Sequence, residues 1–224
     1  VPEATEYPRT IGKDGKLKVT RKNDWTEGFY PGCLWYVYEY TNKEDWKKAA
    51  IKWTESLEPL KKMTNHHDIG FLMYCSFGNA YRLTGNEAYK DVLVESARSL
   101  CTRFNEKTGC IKSWNYRKSW NGKDEWFYPV IIDNMMNLEL LYFATKVTGD
   151  SVYAKVANRH AETTAKNQFR EDYSNYHVVN YDAETGEVLN QATCQGFSDN
   201  SAWARGQAWA IYGYTMAYRE THRQ

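Results

Sequence analysis

Two aspartates, an arginine and a tryptophan stand at matching places in this sequence. Asp68 lies 16 residues before Thr84, Trp25 16 before Thr41, Arg205 16 before Thr221, and Asp133 15 before Thr148. Two carboxylates can divide acid and base roles when their surroundings push their proton affinities apart. An arginine holds a carboxylate or sulfate through a forked pair of hydrogen bonds, and an indole lies against a sugar face. Together the four suit proton transfer to and from a small anionic ring. Each aspartate alone has a plainer reading, because Asp at a helix start commonly caps it for ~1 kcal/mol. Only the convergence of all four brings the chemical reading level with that one.

Other candidates carry less. The run His66-His67-Asp68 has metal-ligand residue types, but side chains of adjacent residues point apart and no histidine recurs at i+4, so no metal site is expected. His67 is placed to tune Asp68 or to touch a substrate. His177 alone reads as structural, and Trp209 lies one turn after Arg205 on the same helix face. No phosphate-cradling glycine loop or serine nucleophile motif occurs, and no cofactor is implied. The formal net charge of +1 gives no broad basic face for nucleic acid or anionic membrane. No apolar run approaches the ~18 residues that cross a bilayer. The start, Val1-Pro2-Glu3, has no signal-peptide pattern. Five cysteines without CxxC spacing argue against a disulfide framework or zinc site, and Cys33, Cys75 and Cys101 read as small buried residues within helices. Aromatic residues make up 16% of the chain, including 9 Trp and 18 Tyr. Most are expected to fill helix–helix cores, the rest to form sugar platforms.

The elements that must position these side chains are set by a repeat. Ala80-Tyr-Arg-Leu-Thr-Gly-Asn-Glu-Ala-Tyr89 matches Ala144-Thr-Lys-Val-Thr-Gly-Asp-Ser-Val-Tyr153, with further copies at Glu39–Trp46 and from Ala217. Each reads as a helix end, a left-handed stop and a new helix start. Gly85 and Gly149 suit the left-handed cap, with Asn42 in the glycine's place in the first copy, and Asn86 and Asp150 suit the next N-cap. The spacing predicts helices near 28–40, 43–60, 70–83, 86–104, 134–147, 151–168 and 204–220. Residues 105–133 read as aromatic loops, and 170–203 as strand-like with a turn at Glu184-Thr185-Gly186. Unequal repeat periods with long insertions fit a closed ring of helical hairpins, its insertions gathered at one mouth, better than an open solenoid. The four matched residues would then converge there.

Four strings carry a resemblance: Asp24-Trp-Thr-Glu-Gly-Phe-Tyr-Pro-Gly32, His66-His-Asp-Ile-Gly-Phe71, Ile131-Ile-Asp-Asn-Met-Met-Asn137 and Trp203-Ala-Arg-Gly-Gln-Ala-Trp209. Over nearly its whole length the chain resembles glycoside hydrolase family 88, the unsaturated glucuronyl hydrolases. The resemblance implies an all-α (α/α)6 toroid. It implies removal of a 4,5-unsaturated glucuronic acid from the non-reducing end of lyase-generated oligosaccharides, by protonation at C4 and hydration of the vinyl ether at C5. Asp133 would be the general acid and base and Asp68 the second essential carboxylate. His177, Gln195, Arg205 and Trp209 would contact substrate, together with one loop tryptophan, Trp114 or Trp120. A donor to carbon must stay protonated near neutral pH, so desolvation among Val130, Ile131, Ile132 and Met136 is expected to raise the proton affinity of Asp133.

Members of that family are longer than this chain. Residues 1–224 are therefore expected to be part of a single α/α-barrel catalytic domain, a partial barrel lacking an N-terminal helix and C-terminal helices, and inactive alone. The alternative is a non-catalytic carbohydrate-binding protein on the same toroid. A sugar epimerase would prefer paired histidines facing the pocket. The expected partner is an unsaturated uronyl oligosaccharide, glycosaminoglycan-derived or other, in a bacterial periplasm or, alternatively, cytoplasm. The oligomeric state is open.

Overall fold

The computed structural model describes residues 6–21 and 23–223; the chain start read above for a leader lies outside them. About 52% of the chain is helical, consistent with an all-α fold, with small sheets set among the helices. The chain divides into two units, residues 1–63 with 68–99, and residues 64–67 with 100–224.

The first unit opens with a hairpin that the sequence reading did not anticipate, β1 (Glu6–Ile11) and β2 (Leu17–Arg21). Gly15, at φ +74°, supplies the left-handed residue of its turn. The hairpin is anchored by Tyr7, fully buried, whose hydroxyl lies 2.6 Å from Ser56 Oγ. Helices α1 (Phe29–Thr41) and α2 (Glu44–Glu55) follow, joined across their interface by the Trp35 indole donating to Thr54 Oγ1 at 2.8 Å. The α2 helix ends before the expected 60. Pro59 lacks the N–H that would reach Glu55, and a 3-10 turn over Glu58–Lys62 takes over. The single helix expected over 70–83 is divided into α3 (Ile69–Met73), a π turn (Tyr74–Gly78) and α4 (Asn79–Thr84). Ser76 Oγ donates to Leu72 O at 2.5 Å and Asn79 Nδ2 to Cys75 O at 2.9 Å. These side chains compete for the helical carbonyls and widen the turn. The last helix of this unit is α5 (Glu87–Cys101).

The second unit holds two short hairpins, β3–β4 (Phe104–Asn105, Cys110–Ile111) and β5–β6 (Arg117–Lys118, Glu125–Trp126). The residues read as loops over 105–133 thus contain paired strands. A three-stranded antiparallel sheet follows, β7 (Pro129–Ile131), β8 (Val178–Tyr181) and β9 (Val188–Ala192). Its alternation is clean. Val130, Val179 and Tyr181 pack with Cys110 and Tyr128 on one face, and Ile131, Val178 and Ala192 pack with Trp126 on the other. The turn expected at Glu184-Thr185-Gly186 joins β8 to β9, with Gly186 at φ +83°. A 3-10 turn (Ile132–Asn137) leads into α6 (Leu138–Thr148), followed by α7 (Val152–Gln168) and α8 (Ala204–Thr221).

The repeated joint has one construction throughout. Thr41, Thr84, Thr148 and Thr221 each donate Oγ1 to the carbonyl four residues earlier at 2.7 Å. The same oxygens accept the N–H of the residue two further on. Between them Asn42, Gly85, Gly149 and His222 take left-handed backbone. Cys33 corrects an expectation: it is exposed, because the buried stripe of α1 runs through Pro31, Gly32, Leu34 and Trp35. Cys75 and Cys101 are half-buried, and the buried cysteine is Cys110. No helix among the described residues is long and apolar enough to cross a membrane.

Candidate active site

In the second unit, strand pairing brings a carboxyl and an imidazole together. Ile131 pairs with Val178, and the Ile132 N–H donates to His177 O at 3.0 Å. Asp133, just past β7, and His177, just before β8, therefore meet at one end of the sheet, with His177 Nε2 3.7 Å from Asp133 Oδ2. Gln168, the last residue of α7, steadies this end by donating to the carbonyls of Val130 and His177 at 3.3 and 3.2 Å. Both site residues are buried, Asp133 at 9% exposure and His177 at 2%. Of the apolar residues expected to desolvate Asp133, Val130, Ile131 and Ile132 are buried, while Met136 is half-buried. Asp133 is not a cap: it is the second residue of its turn, and Ile131 occupies the capping position.

The third strand adds the next layer. Val178 pairs with Ala192, which places the following turn over His177. There the N–H groups of Cys194 and Gln195 both donate to His177 Nδ1, at 3.0 and 3.2 Å. Burial first, then the positive charges of Arg205 and Arg117, push the His177 pKa down to about 3. The imidazole is neutral, and the contact with Asp133 is not an ion pair.

The start of α8 closes the site. A Cβ on Gly206 would lie 3.0 Å from Ile132 Cγ2, and one on Gly213 2.5 Å from Met135 Cβ, so these two glycines let α8 lie directly on the 3-10 turn. Arg205 follows Trp203 into this first turn of α8, and its charge acts on His177. The Arg205 guanidinium donates to Gln195 Oε1 and lies 4.5 Å above the Trp203 ring. Trp203 in turn packs on His177, centroids 4.3 Å apart and planes tilted by 39°. Trp209 is half-buried on the same helix.

Of the two loop tryptophans, Trp114 is the one beside the site. It is half-buried, packs against the Trp126 and Ile131 cluster, and meets His177 edge-on at 6.3 Å. Trp120 is 57% exposed at the tip of the β5–β6 hairpin, its indole donating to Asp199 Oδ1 at 3.2 Å. His67 is fully buried, its N–H donating to Ser113 O at 3.2 Å, while His66 bridges to Trp114 through the backbone. Among the described residues no group of three or more His, Cys, Asp and Glu gathers in a way that would hold a metal ion.

Trp25 and Asp68 belong to the first unit. Asp68 immediately precedes α3, is half-buried, and its side chain makes no capping hydrogen bond. Trp25 packs edge-on against Phe29 and Phe71, each at 5.8 Å, with the Arg9 guanidinium 5.5 Å from its ring centre. It does not stand at a helix start as the spacing implied. Asp24 Oδ1 accepts from Thr26 N and Oγ1, and this local turn keeps 24–28 outside α1. Three neighbours of His177 escaped the sequence reading: Trp203, Arg117 and the Cys194 amide. Trp203 had a signal, standing two residues before Arg205 in a string already singled out. The other two arise only from strand pairing.

The family model for Glycosyl Hydrolase Family 88 matches residues 4–223. The chain belongs to that family. It is 50% identical over 222 residues to an unsaturated glucuronyl hydrolase of Formosa agariphila, an alignment covering 98% of this chain and 54% of the relative. It is 39% identical to an unsaturated chondroitin disaccharide hydrolase of Streptococcus agalactiae, covering 96% and 54%. Among solved structures, an unsaturated glucuronyl hydrolase specific for heparin superposes with a TM-score of 0.93 at 44% identity, covering 99% of this chain and 58% of that one. This family 88 chain thus spans about half the length of the curated relatives it matches. Of the strings that carried the resemblance, Ile131–Asn137 and Trp203–Trp209 meet at Gly206, which lies against Ile132.

Proposed function

We propose that this chain carries the acid–base half of a hydrolase that removes a 4,5-unsaturated glucuronic acid from the non-reducing end of lyase-generated oligosaccharides. One observation carries the reading: a buried carboxyl that caps no helix faces the Nε2 of a neutral histidine, next to an arginine held by Gln195. Membership of family 88 and the activities named for its relatives support it. Burial disfavours the charged form of a carboxyl, so Asp133 is suited to hold a proton for carbon. His177 Nε2 lies 3.7 Å from Oδ2, and the Asp133 carboxyl carries that proton to C4. The electrons of the double bond form the new C–H bond, and positive charge develops at C5 and the ring oxygen. Water then adds at C5 and returns a proton to Asp133. The resulting hemiketal opens to a C5 ketone, leaving C1 as a hemiacetal that collapses to an aldehyde and releases the sugar alcohol. Arg205 pairs with the uronate carboxylate, and Trp209 and Trp114 line the ring. Asp68 is proposed as the second essential carboxylate, with His67 and Trp25 as further contacts, and the chain as part of one (α/α)6 toroid.

The test is spectroscopic. The full-length protein is incubated with a lyase-generated unsaturated disaccharide, and the ultraviolet absorbance of the C4–C5 double bond is followed. Its disappearance, with release of the second sugar, is the expected result. Saturable binding with the absorbance intact would leave a carbohydrate-binding protein instead.

A further inference from the structure

The loop between β9 and α8, residues 193–203, meets His177 at both ends. Near its start the Cys194 and Gln195 N–H groups donate to Nδ1, and at its end the Trp203 ring packs on the imidazole. Some of its hydrogen bonds are short in range. The Gly196 N–H donates to Thr193 Oγ1 at 2.7 Å, and the Ser198 N–H donates to Ser201 Oγ at 3.0 Å. Asp199, half-buried, reaches further. Its Oδ1 accepts the Thr193 N–H at 2.8 Å, back across the loop, and the Trp120 indole N–H at 3.2 Å, from the tip of the β5–β6 hairpin. The backbone beneath it is held as well. Arg170, just past the end of α7, donates Nη2–H to the Asp199 carbonyl at 3.0 Å. The same guanidinium carbon lies 3.8 Å from the centre of the Tyr176 ring, the residue before His177.

Thr193 directly precedes the two residues whose amides hold His177. Peptide units are planar, so once the Thr193 N–H is fixed, only the backbone angles of Thr193 and Cys194 can turn the next two N–H groups. A carboxylate suits this task, because hydrogen bonds to an ionised oxygen are roughly twice as strong as neutral ones. The same turn carries Gln195, whose Oε1 accepts from Arg205. Asp199 therefore stands behind two side chains of the candidate site and acts on them through one turn. We propose that Asp199 is a positioning residue: by holding the Thr193 N–H it keeps the Cys194 and Gln195 amides on Nδ1, and with them the His177 proton on Nε2. The consequence for turnover rests on the function proposed above; the tautomer does not.

The experiment records nitrogen-15 spectra of the histidine-labelled full-length protein, and its kcat on an unsaturated disaccharide, for the unaltered protein, Asp199→Ala and Asp199→Asn. Asp199→Ala is expected to turn the single His177 tautomer into a mixture of Nε2–H and Nδ1–H forms and to lower kcat about tenfold. Asp199→Asn keeps an oxygen for the Thr193 N–H, so it should keep the tautomer and hold kcat within about twofold of the unaltered protein. A single Nε2–H tautomer in folded Asp199→Ala overturns the proposal, whatever happens to stability. So does a mixture with kcat unchanged, or an Asp199→Asn protein that behaves like Asp199→Ala. If Asp199→Ala does not fold, hydrogen exchange in the unaltered protein decides. The Thr193 amide should then exchange no faster than those of Cys194 and Gln195, and a faster one overturns the proposal. If the unaltered protein leaves the unsaturated sugar intact, the hydrolase reading fails instead, and the nitrogen spectra still decide whether Asp199 holds the His177 tautomer.

Discussion

Nε2 of His177 lies 3.7 Å from Oδ2 of Asp133, and it carries a proton. Two backbone N–H groups, from Cys194 and Gln195, occupy Nδ1 as their acceptor. With the pKa pushed down to about 3, only one proton remains on the ring, and it must sit on the other nitrogen. The imidazole is thus held in one tautomer, its Nε2 on the side of the carboxyl but beyond hydrogen-bond distance. It cannot take up a proton near neutrality, which is consistent with the acid and base roles proposed for Asp133.

The first expectation follows for Asp133→Asn. Asparagine keeps the shape, but it has no acidic proton for C4. Turnover should fall at least about a thousandfold, while the thermal midpoint moves by only a few degrees. Full turnover in a folded Asp133→Asn protein would remove this carboxyl from the mechanism.

The tautomer itself is measurable. Nitrogen-15 spectra of labelled histidine should place the His177 proton on Nε2 and show no protonation down to about pH 4, given a pKa of about 3. His177→Asn should lower kcat more than it raises KM, since it frees the carboxyl to turn without removing Arg205. A proton observed on Nδ1, or a KM effect alone, would mean that the histidine only touches substrate.

Acid should loosen the second unit through its histidines. His160 is fully buried, accepts the Ile111 N–H on Nδ1 at 3.0 Å, and its pKa, like that of His177, is pushed down to about 3 by burial. Between pH 6.5 and 3 the unfolded chain holds protons on both residues that the folded chain refuses. Stability is therefore complete above pH 6.5 and is lost as the pH falls, by up to about 1.4 kcal/mol per unit and histidine. The lowered carboxylates Asp172 and Asp182 act nearer pH 4, while Glu139, raised by burial, takes up its proton more readily in the folded chain and offsets part of the loss, so the imidazoles dominate only the upper part of the window. Urea midpoints across that window should fall, and His160→Asn, which keeps an acceptor near Nδ1, should flatten the slope by about half.

How far the sequence reached is clear from particular residues. The Thr joints were legible because cap geometry is local: one hydroxyl and one left-handed residue define each stop, and all four recur. The spacing from those stops put Asp68, Asp133 and Arg205 at element starts, where they are found. The π turn at Tyr74–Gly78 was hidden, because it depends on Ser76 and Asn79 choosing backbone acceptors over solvent. The Cys194, Gln195 and Arg117 surroundings of His177 were hidden for another reason. They follow from the register of strands tens of residues apart, which no periodicity records.

Gly206 offers the last test, because it separates the making of the site from its chemistry. Its Cα faces Trp203 and Ile132, and an added methyl would lie 2.8 Å from Trp203 Cε3 and 3.0 Å from Ile132 Cγ2. Neither neighbour can retreat freely: Ile132 is fully buried, and the Trp203 ring is in contact with both His177 and Arg205. In Gly206→Ala the start of α8 must therefore lift away from the 3-10 turn. The cost should be about 1–3 kcal/mol, as for other overpacked sites. Because Arg205 is the adjacent residue, KM for the unsaturated sugar should rise several-fold at the same time. Gly213→Ala overpacks Met135 on the same helix, two turns from Arg205, and should cost comparable stability with a smaller effect on KM. Equal KM effects from the two substitutions would show that α8 moves as a rigid whole, and that close contact at Gly206 has no special part in placing the arginine.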